Sequence, residues 1–113
     1  MSIQNNTNKL IKPEDCKSKE DVRHQIDLID RDLIQLFAKR YEYVEAIVQF
    51  KEKNEEAIVD AKRKEKVIGE RSSWAAELGL DKETFAQIFR LLIDHNISKE
   101  LDILEKSKEL KIG

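Results

Sequence analysis

Two cations interrupt an apolar stripe that otherwise occupies one face of a predicted helix. Hydrophobic residues recur at alternating steps of four and three, the spacing of one helix face, and the same steps place Arg40 and Lys51 on that face. Removing a charge from water is costly unless a partner compensates. The pattern therefore predicts either a seam open to water or an apolar site for an anion. The apolar members are Val22, Ile26, Ile29, Leu33, Leu36, Val44 and Ile47.

The spacing of these two cations suits a small ligand with two negative groups. On a continuous helix, Arg40 and Lys51 would stand roughly 16 Å apart along the axis. Their long side chains can lean toward each other over Val44 and Ile47, which gives a short apolar trough with a cation at each end. The alternative is that both are stripe-edge residues whose charged ends reach solvent.

Two further arginines and one carboxylate are candidates. Arg23 lies near the start of the same helix, where the helix dipole favours anions, so its position hints at a partner. Arg63 belongs to a charge run that is otherwise typical of a solvated face. Glu100 is either a paired surface residue or, if buried, a carboxyl that favours its neutral, proton-bearing form. It shares a predicted helix face with Ile93, Asn96 and Ile97.

The composition is that of an all-α protein. Of 113 residues, 39% are charged and 40% hydrophobic, with three Gly and one Pro, which favours helices over turns and strands. The net charge of -2 argues against a general nucleic-acid surface. Cys16 is the single cysteine, so no intrachain disulfide and no zinc-ligand spacing exist. Without a signal-peptide core or a membrane-length apolar stretch, we predict a cytoplasmic protein with no membrane partner.

Capping signals divide the chain into three helices. We predict a flexible segment at 1–12 and a helical domain at 13–113, with helices over about 18–53, 60–78 and 81–106. The start signals are Ser18 with Asp21, then Asp60, then Asp81 with Thr84; Gly79 supplies a stop and Trp74 is expected in the core. The first helix would be roughly 50 Å long. A helix of that length cannot bury its stripe within one small chain, which predicts a homodimer.

These segments resemble those of the all-helical (AroQ-type) chorismate mutases, and within them the isochorismate pyruvate lyase branch. The resemblance covers about residues 12–105, and the lead-in PEDC and the stretch ERSSWAAELGLD are similar to the lyase branch in particular. The matching segments are PEDC at 13–16, VRHQIDLIDRDLIQLFAKR at 22–40, YEYVEAIVQFK at 41–51, VDAKRKE at 59–65, ERSSWAAELGLD at 70–81 and FRLLIDHNISKEL at 89–101.

The resemblance implies an intertwined homodimer of three-helix chains with a very long first helix. In that fold, Arg23 would enter the partner's site. Arg40 would hold a substrate carboxylate, Arg63 would grip the other carboxylate, and Lys51 would bond a carboxylate and the ether oxygen of the breaking bond. The remaining site residues implied by the resemblance are Asp60 near the ring hydroxyl, Ile47, Ile93 and Ile97 as apolar walls, Asn96 as a polar neighbour and Glu100 beside the ether oxygen.

Two positions depart from the commonest bacterial mutase pattern. Lys64 stands where many mutases have a glutamate that contacts the C4 hydroxyl of chorismate. Glu100 stands where the bacterial enzymes usually have a glutamine, so it must be protonated to donate to the ether oxygen.

The predicted activity is chorismate mutase, a rearrangement of chorismate to prephenate that needs no cofactor and no metal. Lys51, Glu100 and Arg40 would act in catalysis. Two alternatives remain open. One is isochorismate pyruvate lyase, which releases salicylate and pyruvate from a similar dicarboxylate and which Lys64 and the PEDC lead-in favour. The other is a non-catalytic dimeric helical adaptor.

Overall fold

The computed structural model describes residues 7–112, and the side chains of residues 8–109. Within that range the chain is helical and has no strand, which confirms the predicted all-α class. The α-helices are α1 (Lys19–Ile47), α2 (Glu55–Val59), α3 (Ala61–Glu77) and α4 (Lys82–Ile112). Three single turns of 3-10 helix cover Thr7–Lys9, Pro13–Asp15 and Val48–Phe50.

The chain divides after Tyr43 into two compact units. The first unit contains most of α1. The flexible segment predicted at 1–12 falls partly on residues 1–6, which lie outside the described range. In its described part, the Ile11 N–H donates to Gln25 Oε1 at 2.9 Å, a contact that links this segment to α1.

The start of α1 follows from its capping residues. The Asp21 N–H donates to Ser18 Oγ at 3.1 Å, and Asp21 Oδ2 accepts from the Lys17 N–H at 3.0 Å. Ser18 thus satisfies a backbone N–H of the first helical turn, and Asp21 satisfies the N–H of the residue that precedes the cap. The predicted start at Ser18 is confirmed.

The predicted end of the first helix at Lys53 is wrong. The α-helix ends at Ile47 and one 3-10 turn follows, after which Lys51 is extended with φ -88° and ψ 150°. The Lys51 N–H donates to the Val48 carbonyl at 3.2 Å, a three-residue closure that tightens and ends the helical path. Lys51 therefore lies outside α1, and the predicted helix face that includes Arg40 ends before it.

The predicted break between the first two helices contains the short helix α2. Asn54 caps it, because Asn54 Oδ1 accepts the Ala57 N–H at 2.8 Å. Ile58 is only 1% exposed, which makes it the most deeply buried large side chain among the described residues. This side chain anchors a short helix whose first turn is acidic.

Asp60 joins α2 to α3 and caps both helices. Its backbone is left-handed, with φ 36° and ψ 70°, and its N–H donates to the Glu56 carbonyl at 3.0 Å, which ends α2. Its Oδ1 accepts the Arg63 N–H at 3.2 Å, which begins α3. The predicted helix start at Asp60 is confirmed.

The turn between α3 and α4 also follows the sequence signals. Gly79 adopts φ 80°, a conformation that few other residues tolerate. Asp81 Oδ2 accepts both the N–H of Thr84, at 2.9 Å, and its hydroxyl, at 2.6 Å. These two hydrogen bonds, the hydroxyl first, lower the pKa of the Asp81 carboxyl below its usual value. Helix α4 continues to Ile112, beyond the predicted end at Lys106.

Helices α3 and α4 pack together within the second unit. Two ion pairs join them, Arg90 with Glu65 at 2.9 Å and Lys64 with Asp94. The buried apolar side chains of the unit are Val48, Ile58, Val67, Ile68, Ala75 and Leu104.

Trp74 does not lie in the core as predicted. Its side chain is half exposed, and the Arg71 guanidinium stacks over its ring at 4.5 Å. The buried α3 residues are Val67, Ile68, Ser72 and Ala75; Trp74 lies on the side of Val67, away from the face that Ile68, Ser72 and Ala75 share by steps of four and three. No helix of residues 7–112 is both long enough and apolar enough to cross a bilayer.

Substitutions of Asp60 should separate its two structural contributions. Asp60→Ala should lower the free energy of unfolding by about 2 kcal/mol, since it loses the cap and the short polar side chain that helps Asp and Asn adopt a left-handed backbone. Asp60→Asn keeps an acceptor and tolerates this backbone, so we expect near-native stability. Asp60→Gly should fall between them. Urea unfolding at one protein concentration measures all three, and equal stability of the Ala and Asn variants would contradict the double role.

Candidate active site

An ion pair between Lys51 and Glu100 is the centre of the candidate site. Lys51 Nζ lies 2.8 Å from Glu100 Oε1, and the two side chains are 25% and 5% exposed. Lys51 Nζ also donates to the Ile58 carbonyl at 3.4 Å. The contacts of Lys51 thus connect the segment that follows α1 with the short helix α2 and with the middle of α4.

Helix α4 contributes one face of this site. Asn96 and Glu100 are four residues apart, so they stack on one side of the helix, and both are buried. Ile93 and Ile97 flank them and are half-buried. A carboxylate and an amide therefore lie on the inward face among aliphatic side chains, so of the two alternatives for Glu100 the structure shows the buried one.

The residues predicted at the start of α3 lie near the surface. Asp60 uses one carboxylate oxygen to cap the helix, and Arg63 is exposed. Lys64 is mostly buried, with 23% of its side chain exposed, and its Nζ bonds Asp94 Oδ1 of α4. The lysine that departs from the usual mutase pattern is thus held by a carboxylate of its own chain.

The two predicted arginines of α1 belong to the first unit. Arg23 is exposed and lies 3.6 Å from Glu20, one turn earlier. Arg40 is half-buried. Ile47, which ends α1 and belongs to the second unit, is 48% exposed. Of the predicted catalytic residues, Lys51 and Glu100 are the two whose direct contact the structure shows.

The chemistry available to this pair is electrostatic. An ammonium has three N–H donors, and the contacts to Glu100 and Ile58 use two of them. A further donor can meet an oxygen of a bound ligand, and it would do so in a partly desolvated place where hydrogen bonds to charged groups are stronger. Such a donor suits a reaction in which negative charge grows on an oxygen atom.

Sequence reasoning missed α2 and its carbonyl contact with Lys51. A signal was present, since Asn54 followed by Glu55 and Glu56 combines a cap residue with acidic residues in the first turn. Five residues are too few for a helix to form by itself. The burial of Ile58 within the unit decides whether these residues form the helix that their capping signal favours.

Comparison with known proteins gives a family match over most of the chain. The model of the family described as chorismate mutase type II matches residues 22–101. That range includes every candidate site residue.

The curated relatives differ in how much of their length is matched. An isochorismate pyruvate lyase from Pseudomonas aeruginosa is 37% identical over 89 residues, which is 79% of this chain and 87% of that protein. A bifunctional chorismate mutase/prephenate dehydratase from Buchnera aphidicola is 30% identical over 84 residues, 74% of this chain and 22% of the relative. A second Buchnera protein of the same description is 28% identical over 92 residues. This chain therefore spans less than a quarter of the length of these bifunctional relatives.

A double-mutant cycle should reveal strong coupling between Lys51 and Glu100. Lys51→Met leaves a buried carboxylate unpaired and should lower the free energy of unfolding by roughly 2–3 kcal/mol, below the 3–5 typical of fully buried pairs because Lys51 is partly exposed. Glu100→Gln keeps an acceptor and should cost less. The double variant should lose less than the sum of the two, as measured by urea unfolding.

The control pair is Lys39 with Glu42, which lie 3.1 Å apart on the surface of α1. Their side chains are 47% and 65% exposed, so we expect a coupling indistinguishable from zero. Equal coupling energies in the two cycles would contradict the prediction that Lys51 and Glu100 are strongly coupled.

Proposed function

The chain belongs to the chorismate mutase type II family, and on that premise we propose that it rearranges chorismate to prephenate. The observation that supports this most directly is the Lys51 ammonium held by a buried carboxylate and a helix-end carbonyl. The reaction is pericyclic, so it needs no nucleophile. It needs a substrate folded into a chair-like conformer and a donor where negative charge develops.

Binding of the substrate is assigned to the arginines. Chorismate has two carboxylates on a compact apolar frame, and guanidinium groups pair with carboxylates through two parallel hydrogen bonds. In this proposal, Arg40 holds one carboxylate and Arg63 the other. Asp60 and Asn96 contact polar groups of the ring. The aliphatic walls are Ile47, Ile93 and Ile97.

Stabilisation of the transition state is assigned to Lys51 and Glu100. Lys51 donates to the ether oxygen as its bond to the ring carbon breaks, and this donor matters most when the oxygen is most negative. Glu100 holds Lys51 in the free protein. With substrate bound, Glu100 donates to the same oxygen if its carboxyl has taken a proton.

The site as proposed requires a second copy of the chain. Several residues of the α1 stripe are exposed by 38–53%, although they are spaced as a buried helix face. They are Val22, Ile26, Ile29, Leu33 and Leu36. Apolar exposure of this extent on one helix is typical of a protein interface. We propose an intertwined homodimer in which Arg23 of each chain completes the partner's site.

A second candidate activity is isochorismate pyruvate lyase. The relative of that name is matched over 87% of its length. Lys64 also favours it, since a cation at this position gives no carboxylate for the C4 hydroxyl of chorismate. The same carboxylate clamps and the same donor to the ether oxygen serve both reactions, so the position of the ring hydroxyl is what separates them.

Each substrate should be offered separately to the purified protein. We expect prephenate from chorismate; salicylate and pyruvate from isochorismate would establish the second activity.

Lys51→Ala should lower kcat at least about 10²-fold, the scale of removing one oxyanion donor. Lys66→Ala, at an exposed lysine of α3, is the matched control and should leave turnover unchanged. Products are separated by liquid chromatography.

Absence of turnover with both substrates, together with no binding of a bicyclic transition-state analogue, would refute both enzymatic proposals. The chain would then act as the dimeric helical adaptor.

Mixing two inactive variants should restore activity if the site is shared. Arg23→Ala and Arg40→Ala each disable both sites of their own homodimer. In a hybrid dimer one site retains both arginines, so a fully exchanged equimolar mixture should recover about a quarter of the native rate. Native mass spectrometry confirms hybrid formation, and a mixture that contains hybrids but stays inactive would exclude the shared site.

A further inference from the structure

Lys53 contacts the backbone of the same segment that presents Lys51. Its Nζ donates to the Val48 carbonyl at 3.0 Å, and the same carbonyl accepts the Lys51 N–H at 3.2 Å. Val48 is only 3% exposed. A cation is favoured at this carbonyl, because the carbonyls at the end of a helical segment have partial negative charge.

The chain between the two lysines and α2 is fixed by local hydrogen bonds. The Asn54 N–H donates to the Glu52 carbonyl at 2.9 Å, and Asn54 Nδ2 donates to Glu52 Oε2 at 3.3 Å. Asn54 also caps α2. The segment from Val48 to Asn54 is therefore held at both ends by side-chain contacts to the backbone.

The two ammonium groups have separate partners. Lys51 Nζ bonds Glu100 and the Ile58 carbonyl, whereas Lys53 Nζ bonds the Val48 carbonyl. A lysine side chain is long and has many rotamers, so its ammonium is well placed only when the backbone from which it starts is fixed. In this segment, the contact made by Lys53 fixes that backbone.

We propose that Lys53 is a positioning residue for Lys51, an inference that rests on the proposed function. By holding the Val48 carbonyl, Lys53 keeps the 3-10 turn closed and the Lys51 N–H in place. Lys51 Nζ then starts from a backbone position from which it reaches both Glu100 and Ile58. Loss of the contact would let the turn open, and a displacement of about 1 Å in a catalytic group can cost up to 10²-fold in rate.

Chemical labelling of Lys51 tests this without any assay of activity. Trace reductive methylation followed by tandem mass spectrometry gives the rate at which each lysine is modified. In Lys53→Met, we expect Lys51 to react about threefold to tenfold faster, the factor that loss of one typical net hydrogen bond corresponds to. Lys53→Arg can still donate to the carbonyl and should react near the native rate. Lys66→Met is the control and should not change Lys51.

Kinetics then separate positioning from a purely structural role. Lys53→Met should lower kcat about tenfold with little change in KM, since the substrate clamps are untouched, and Lys53→Arg should restore most of it. A folded Lys53→Met protein whose Lys51 labelling is unchanged would overturn the inference. Faster labelling of Lys51 in this variant together with an unchanged kcat would also overturn the inference. If the native protein converts neither substrate, the proposed function fails, and the labelling result alone still decides whether Lys53 holds Lys51.

Discussion

An ammonium that is three-quarters withdrawn from water needs acceptors, and Lys51 finds two in Glu100 and the Ile58 carbonyl. Coulomb attraction between Lys51 and Glu100 offsets the cost of desolvating both groups only at short range and with further hydrogen bonds. The 2.8 Å separation and the second acceptor meet these conditions. The position of α2 relative to α4 is therefore constrained by one charged contact as well as by apolar packing.

Capping contacts build the segment that brings Lys51 to α4. The chain changes direction at Lys51, Asn54 and Asp60, and each turn is closed by a specific hydrogen bond. Ile58 adds the one deeply buried side chain. We expect such a segment to be sensitive to single polar substitutions, because a few side-chain contacts to the backbone hold it. In our proposal, this is how Lys53 positions Lys51 through the backbone of the segment.

The proposed arrangement of charge would suit either of two reactions. In that proposal, arginine side chains bind the carboxylates that chorismate and isochorismate share, and a lysine donor stabilises the ether oxygen in either case. Discrimination then depends on groups near the ring hydroxyl. In this chain Lys64 is held by Asp94, so its ammonium is fixed by the fold rather than by a ligand. The proposed choice between the two activities thus depends on polar residues at the start of α3.

The sequence by itself determined the helical class, the starts of α1, α3 and α4 and the stop at Gly79, because caps and periodicity act over a few neighbouring residues. It also marked Lys51 as unusual, since this cation interrupts an apolar pattern, and it placed Glu100 at the border of another apolar stripe. Only the tertiary structure decided that α1 ends before Lys51, that Asn54 begins a further helix and that Trp74 lies outside the core. The tertiary structure also decided where the Lys51 ammonium lies, because its partner Glu100 is 49 positions away and capping and periodicity rules consider only neighbouring residues.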